Sequence, residues 1–332
     1  MPFQKKPEVT AAVVGAGLMG RWHADAIRRS GGRVIAVVDP DEKRAVELAR
    51  RHAPARVYPC LEDALSQCRP TVVHLCTPAN LHRQQAEQAL NAGAHVIVEK
   101  PLAQTWADTQ EILNLAEKNK LLVCPVHQFV FQDGAQRLRG WLASSGKIVQ
   151  VSFTIRSAGG AGLPTKELDA LVADILPHPL SLLQMLIPDS LDIPWMVDRP
   201  APGELRIIGT TGAGVGMAIE ISMNARPPQN SMIIASQEAT FSLDLFHGFS
   251  VRYPGTVSRT RKVIQPFEFS LRQFGAASGN LFRRLLTNES AYPGLRRLVS
   301  LFYQAVRSGG ISPIPPHDTL AVARARQVIL AS

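Results

Sequence analysis

Residues 11–23, AAVVGAGLMGRWH, constrain this chain more than any other stretch. Small and β-branched residues lead straight into Gly15-Ala16-Gly17-Leu18-Met19-Gly20, and a helical pattern follows to Ile27. Strand, glycine turn and helix in that order are the setting in which G-x-G-x-x-G binds a dinucleotide. Gly15 allows the tight turn, Gly17 lets a pyrophosphate approach the backbone with no Cβ in its way, and Gly20 lets helix and strand pack closely. The first helical turn, opened by Leu18 and Met19, then presents its N–H groups and dipole to the phosphates. Without that context the glycines would mark only an ordinary strand-to-helix turn.

The first third of the chain alternates between the two periods that a parallel sheet with crossover helices requires. Strand-like segments fall at 11–14, 33–39, 71–76, 95–98 and 121–126, with helical stretches at 18–29, 41–52, 81–91 and 105–119. Gly31-Gly32 and Gly93 follow helices, where glycine relieves left-handed strain. Asp39 ends its strand nineteen residues beyond Gly20, where an acidic side chain accepts the ribose 2′-hydroxyl of NAD. The competing role is a helix N-cap, open to Asp39 and Asp41 alike. Arg21, Lys43 and Arg44 lie near enough in sequence to accept a 2′-phosphate. NAD is therefore the expected cofactor, with NADP left open.

From Lys147 onward the texture changes. Runs at 147–156, 204–208, 215–223, 232–236, 240–246 and 262–265 are β-rich, mostly without intervening helices, which predicts a largely antiparallel sheet with one covered face. Proline-rich pieces at 194–202, 227–228 and 313–316 read as loops, and a helix at 319–330 closes the chain. The expected fold is thus α/β: an N-terminal doubly wound Rossmann domain over residues 1–127, then an α+β domain over 128–332 with a large, mainly antiparallel open sheet.

Bulk properties narrow the class. Of 332 residues 45% are hydrophobic and 19% charged, a folded rather than a disordered composition. No run of about 18 apolar residues predicts a membrane span, and the opening residues have no apolar core of a secretory signal. Cys60, Cys68, Cys76 and Cys124 form no C-x-x-C pair, so reduced thiols in a cytoplasmic protein are expected and a metal site is not. Residues 1–127 carry 16 Lys/Arg against 13 Asp/Glu; the remainder carries 20 against 14. The excess lies in the second half and fits an anionic substrate or surface.

Three further stretches narrow the reading: Thr77-Pro78-Ala79-Asn80-Leu81-His82, Val98-Glu99-Lys100-Pro101, and Asp174-Ile175-Leu176-Pro177-His178. Together with VVGAGLMG the sequence resembles the glucose–fructose oxidoreductase / inositol dehydrogenase / rhizopine-catabolism (Gfo/Idh/MocA) family, well over the first 127 residues and beyond them mainly at the D-x-x-x-H element. The resemblance implies hydride transfer between NAD(P) and a sugar, sugar acid, cyclitol or nucleotide sugar, and a homo-oligomer, dimer or tetramer, often formed through the open sheet. It implies that Thr77, Pro78, Asn80 and His82 line the nicotinamide ribose, with a helix cap as the other reading of Asn80. His127 and Gln128 follow at the crossing between domains. Many relatives have an Arg-Phe pair nearby, whereas this chain reads Phe129-Val130-Phe131 and lacks that cation.

Carbinol oxidation needs a group to remove the hydroxyl proton while the cofactor takes the hydride. Lys100, at the carboxyl end of an apolar strand, can polarise the substrate oxygen; Glu99 either orients it or ends the strand. His178 is the candidate proton carrier and Asp174, four residues earlier, its partner or a hydroxyl acceptor. Pro177 and Pro179 favour a helix that begins near Pro177 and runs to Leu186. His23 is expected to pack. The resemblance also admits two rivals, a non-catalytic cofactor-binding regulator and an NAD-dependent glycosidase that oxidises its sugar transiently.

Between residues 252 and 307 stand ten cations, including Arg259, Arg261, Arg272, Arg283, Arg284, Arg296 and Arg297, opposed by Glu268 and Glu289 and interleaved with Phe and Leu. Two helices packed on the sheet with solvated arginines are expected. A peripheral anionic membrane contact or a diphosphate ligand is the alternative. Nucleic acid is not expected, because no basic-aromatic or helix-turn-helix pattern accompanies the charge.

Overall fold

The computed structural model describes residues 8–160, 162–255, 261–287 and 291–332, with only the backbone of Arg261. Arg259 and Glu289 of the basic segment lie outside the described residues. The chain divides into two compact units. The first takes residues up to His127 together with Leu295–Arg324; the second takes Gln128–Gly294 and Ala325–Ser332.

In the first unit the elements run β1 (Val9–Val14), α1 (Leu18–Arg29), β2 (Gly32–Val38), α2 (Glu42–Arg51), β3 (Arg56–Tyr58), α3 (Leu61–Cys68), β4 (Val72–Leu75), α4 (Ala79–Asn91), β5 (His95–Val98), α5 (Trp106–Lys118) and β6 (Val123–Pro125). All six strands are parallel, in the order β3-β2-β1-β4-β5-β6. This is the doubly wound Rossmann arrangement, in which the order reverses between β1 and β4 and ligands bind beyond the carboxyl ends of the strands. The strands read as unbroken apolar runs because helices cover both faces. Leu61, Leu65, Leu90, Ile112 and Leu113 from α3, α4 and α5 pack against β-residues such as Val73, Leu75 and Val96. The short β3 and the α3 that follows are additions to the sequence reading; three residues are too few to show a period.

The second unit begins with a 3-10 turn at Gln128–Phe131 and α6 (Asp133–Leu142). Next come β7 (Ile148–Arg156), α7 (Thr165–Ile175), α8 (Pro177–Leu186), β8 (Met196–Asp198), β9 (Glu204–Thr210), β10 (Gly216–Ser222), β11 (Gln229–Ser236), β12 (Ala239–Asp244), β13 (Phe249–Pro254) and α9 (Arg261–Thr287). Its seven-stranded sheet has the order β13-β12-β11-β7-β10-β9-β8. Only the central pair β7–β10 is parallel. Burial alternates along β9, β10, β11 and β12, so one face is covered while Val149, Ile208 and Ile233 remain on an exposed one. The proline-rich piece at 194–202 contains the edge strand β8, and α8 starts at Pro177 as its two first-turn prolines allow.

Two expectations for the basic segment need correction. Residues 262–265 are the first turn of α9, not a strand: the β-branched Val263-Ile264 pair misled, and Pro266 falls inside the helix. The two helices also behave differently. In α10 (Leu295–Ser308) Leu295, Leu298, Val299, Phe302 and Tyr303 are buried in the first unit, whereas α9 turns its apolar side chains outward. The chain closes with α11 (Pro316–Ala331). No helix among the described residues is long and apolar enough to cross a membrane.

Candidate active site

The glycine loop lies where β1 meets β4. Gly15 has φ +93°, and a Cβ there would sit 2.6 Å from the Cys76 carbonyl oxygen at the end of β4. Its N–H donates to Val38 O at 2.8 Å, tying the loop to β2. A Cβ on Gly20 would fall 1.9 Å from Gly15 O, so this glycine is what lets α1 approach the loop. Gly17 differs: it caps α1 in extended backbone, and nothing lies within 4 Å of the place its Cβ would occupy. A β-carbon there would fill open space above the loop, the space a pyrophosphate needs. No side chain caps α1 and no acid occupies its first turn, so the helix end suits an anion. Leu18 is exposed and Met19 half-buried in that turn. The loop fits the group that the motif implies.

Asp39, just past β2, is built into the same loop. Its Oδ2 accepts from Ala16 N at 2.7 Å and its Oδ1 from Asp41 N at 2.8 Å. The N-cap of α2 is Asp41, whose carboxylate accepts from Arg44 N. Asp41 thus takes the capping role that the sequence left open to both. A carboxylate has about four acceptor positions, so Asp39 retains capacity for ribose hydroxyls. Arg21 pairs with Glu47 and Arg44 with Asp41, which engages two of the three cations near the loop.

On the other side of the switch point, Thr77 and Pro78 lead into α4. Pro78 is the N-cap and Asn80 stands exposed within the first turn, so the capping role considered for Asn80 does not apply. His82 is buried, with Nδ1 2.8 Å from Pro101 O and Nε2 2.8 Å from Thr77 O. A neutral ring donates to one carbonyl and a doubly protonated ring to both. Either way His82 braces the turn after β4 against the turn after β5.

Glu99 and Lys100 follow β5, and the Lys100–Pro101 peptide is cis. Glu99 is 8% exposed; its Oε2 accepts from the backbone N of Lys100 at 3.3 Å. Its Oε1 lies 3.0 Å from Nε2 of His23, a residue expected only to pack. His23 Nδ1 in turn lies 2.9 Å from His74 Nδ1, and His74 Nε2 lies 2.8 Å from the Tyr303 hydroxyl. The contacts join in one series, Tyr303 to His74, His74 to His23 and His23 to Glu99, in which each ring nitrogen has a polar partner. Burial, with the field of His23 added, holds His74 well below the ordinary imidazole range, and burial holds Tyr303 well above its own. The signal was present in the sequence: His74 is the one polar residue in the buried strand VVHL, and a buried polar group needs a partner. Its partners at 23 and 303 were beyond the reach of local pattern.

His127, the last residue of the first unit's N-terminal stretch, is 3% exposed. Burial, partly countered by Glu99 and reinforced by Lys100, lowers its pKa to about 4. An imidazole neutral in the fold but free to protonate when unfolded favours unfolding in acid. The stability it lends is complete above pH 6.5 and is lost as pH falls toward 4. From the shift alone the loss is about 3 kcal/mol at pH 4, and His74 acts in the same direction. Denaturant titrations between pH 7 and 4 should show that decline, and His127→Phe should flatten it; a variant with unchanged slope would discharge His127 from the role.

In the second unit Asp174 lies on the last turn of α7 and His178 on the first turn of α8, joined through Leu176 in helical backbone. Asp174 is exposed and His178 half-buried. The His178 ring lies against Phe129, centroids 4.4 Å apart and planes tilted by 31°. Arg326 of α11 donates from Nε to Ala173 O at 3.2 Å, and the Asp174 carboxylate offsets part of the burial that lowers the guanidinium pKa. Arg326 thus brings a cation to this element, although Phe129-Val130-Phe131 supplies none. It stands about 150 residues away, where the sequence gives no cue. Among the described residues no group of three or more His, Cys, Asp or Glu side chains could hold a metal ion.

Residues 9–127 match the family model described as "Oxidoreductase family, NAD-binding Rossmann fold". The chain is 30% identical over 140 residues to 4-carboxy-2-hydroxymuconate-6-semialdehyde dehydrogenase of Sphingobium sp. strain SYK-6, covering 42% of this chain and 44% of that protein. It is 30% identical over 219 residues to dTDP-3,4-didehydro-2,6-dideoxy-alpha-D-glucose 3-reductase of Streptomyces violaceoruber, covering 60% and 63%. The chain thus spans less than two thirds of the length of these relatives. Among solved structures, UDP-N-acetylglucosamine 3-dehydrogenase of Acidithiobacillus ferrooxidans superposes with TM-score 0.75 at 18% identity, covering 97% of both chains, a likeness of fold. Residues 9–127 thus match the NAD-binding Rossmann domain of the Gfo/Idh/MocA oxidoreductases.

Proposed function

We propose that this protein is an NAD-dependent oxidoreductase that moves a hydride to or from a carbohydrate-type substrate, at a secondary alcohol or its ketone. The observation that carries the proposal is the cradle at Gly15, Gly17 and Gly20, with Asp39 hydrogen-bonded to Ala16 beside it. Lys100 stands beyond the carboxyl end of the neighbouring strand β5, where such sheets take their ligands. The dehydrogenase and reductase named above support the reaction type. When bound, the nicotinamide would accept or supply the hydride.

The chain's own residues supply the rest. Gly17 and the first turn of α1 would hold the pyrophosphate, and Asp39 would accept from the adenosine ribose. Lys100 would donate its ammonium N–H to the substrate oxygen and stabilise charge that develops there. Glu99 would fix the Lys100 backbone, and His82 would brace the turns on which Thr77 and Pro101 lie. His178 would carry the hydroxyl proton, with its ring oriented by Phe129. Asp174 would tune that imidazole or accept from a neighbouring hydroxyl. Asp39 disfavours NADP, because its carboxylate would meet a 2′-phosphate as a like charge. Asp39→Ser should weaken NAD binding ten- to a hundredfold, the worth of charged hydrogen bonds, and narrow the gap between NAD and NADP in calorimetric titrations. Equal affinities for both cofactors in the unaltered protein would contradict the assignment.

Four free cysteines fit a reducing, cytoplasmic compartment. The exposed sheet face with Val149, Ile208 and Ile233 suits association of copies into a homo-oligomer. The decisive experiment supplies NAD and then sugars, sugar acids, cyclitols and nucleotide sugars, following nicotinamide absorbance. Cofactor binding with no hydride transfer to any of them would favour a regulatory role. Release of an aglycone without net cofactor reduction would favour the glycosidase.

A further inference from the structure

We propose that α9 is an in-plane membrane-binding helix that seats the protein on an anionic lipid surface. The helix is amphipathic, but its orientation is the reverse of a core helix. Its polar side faces the second unit: the Tyr253 hydroxyl donates to Gln273 at 2.9 Å, Asn280 donates to His247 O at 2.9 Å, and Arg283 pairs with Asp133. On that side Phe269 also packs its ring against Tyr253, at 4.3 Å between centroids. The opposite side carries Val263, Phe267, Leu271, Phe274, Leu281 and Leu285, each between 62% and 75% exposed. At 100° per residue these fall within one sector of about 80°, and Ile264, Phe282 and Leu286 widen it along one edge. A helix of 27 residues is about 40 Å long, so this stripe far exceeds the scattered apolar residues normal on a protein surface.

Charge decides between occupants. The helix holds five Lys/Arg and one Glu, outside the narrow sector of large apolar side chains; Arg272 pairs with Glu268 and Arg283 with Asp133, and the helix keeps a net positive charge. A second copy of α9 would cover the apolar sector but add its own net positive charge beside this one, with nothing to neutralise either. Anionic lipid headgroups would meet that charge while the acyl region takes the Phe and Leu side chains, the arrangement of helices that lie in the bilayer interface. The helix is not apolar enough to cross the bilayer. In α10 the same composition is spent on a core, with Phe302 and Leu298 fully buried, so exposure in α9 does not follow from composition.

The test is co-sedimentation of the full-length protein with phosphatidylcholine vesicles, with and without phosphatidylglycerol. Pelleting is expected with the anionic vesicles and should weaken as salt rises. The variant Phe267→Ser/Leu271→Ser/Phe274→Ser, which touches exposed positions only, should keep its melting temperature. Its vesicle partition coefficient should fall by about a hundredfold or more, given the apolar burial lost at each position. Three outcomes would overturn the proposal: no pelleting with either vesicle, unchanged pelleting of the variant, or a monomer–dimer equilibrium in light scattering that the same substitutions abolish without any lipid binding.

Discussion

Replacing Lys100 with alanine is expected to lower kcat by about 10²–10⁴-fold while changing the Kd for NAD by less than about threefold. In energy this is about 3–5 kcal/mol of transition-state stabilisation. The split between turnover and binding follows from where the residue stands. The proposed cofactor cradle, Gly15, Gly17, Gly20 and Asp39, lies around β1 and β2, whereas Lys100 follows β5, two strands further along the sheet from β1. Its ammonium would act on an oxygen whose charge grows only as the hydride leaves, so its loss weakens the transition state more than the bound ground state. Stopped-flow turnover with a responsive substrate, beside fluorescence titration of NAD, measures both quantities. Lys100→Arg should restore little, since a planar fork does not replace a compact ammonium. Equal losses in affinity and turnover would make Lys100 a cofactor-binding residue, and unchanged turnover would remove it from the chemistry. Because Lys100 helps to depress His127, the alanine variant should also raise the pH at which His127 titrates.

The parts of this protein that sequence discloses are those governed by short-range rules. The unbroken apolar runs of β1, β4 and β5 and the 3.6-residue period of α1 are visible within a dozen residues, and the glycine spacing between β1 and α1 depends on a single turn. Asp39 was singled out by spacing, but its hydrogen bond to Ala16 joins two strand ends that only the sheet brings together. The series from Glu99 through His23 and His74 to Tyr303 draws on four elements spread over 280 residues, and each histidine taken alone reads as packing. Arg326 reaches α7 from the last helix in the same long-range way. The failure at 262–265 has a different origin: two β-branched residues before a proline imitate a strand end, while the helix is carried by the 22 residues that follow. Amphipathicity was legible in α9 and α10 alike. Which face each helix buries was not, because the pattern gives the stripe but not its neighbour.

Gly17→Val and Gly20→Ala, three residues apart in one motif, should fail in opposite ways. At Gly20 a Cβ would lie 1.9 Å from Gly15 O and 3.0 Å from Gly15 C, atoms of a backbone already fixed by φ +93° and the bond to Val38. Relief requires α1 to move off the sheet, which also disturbs His23 on the same helix and its bond to Glu99. Overpacking of this kind against backbone should cost about 3 kcal/mol or more, or prevent folding outright. At Gly17 the backbone is extended, with φ −70°, and no atom lies within 4 Å of the new Cβ, so the fold has nothing to resist. Valine there should leave the melting temperature within about 2 °C, given the small effect of substitutions that touch nothing. It should nevertheless weaken NAD binding by about a hundredfold or more, because the branched side chain fills the approach that a pyrophosphate needs. Calorimetric melting and NAD titration of both variants measure the contrast. Normal NAD affinity in a folded Gly17→Val protein would mean that the dinucleotide does not cross this loop. The assignment of Asp39 to its ribose would then fall with it, since both rest on the same path across the end of β1.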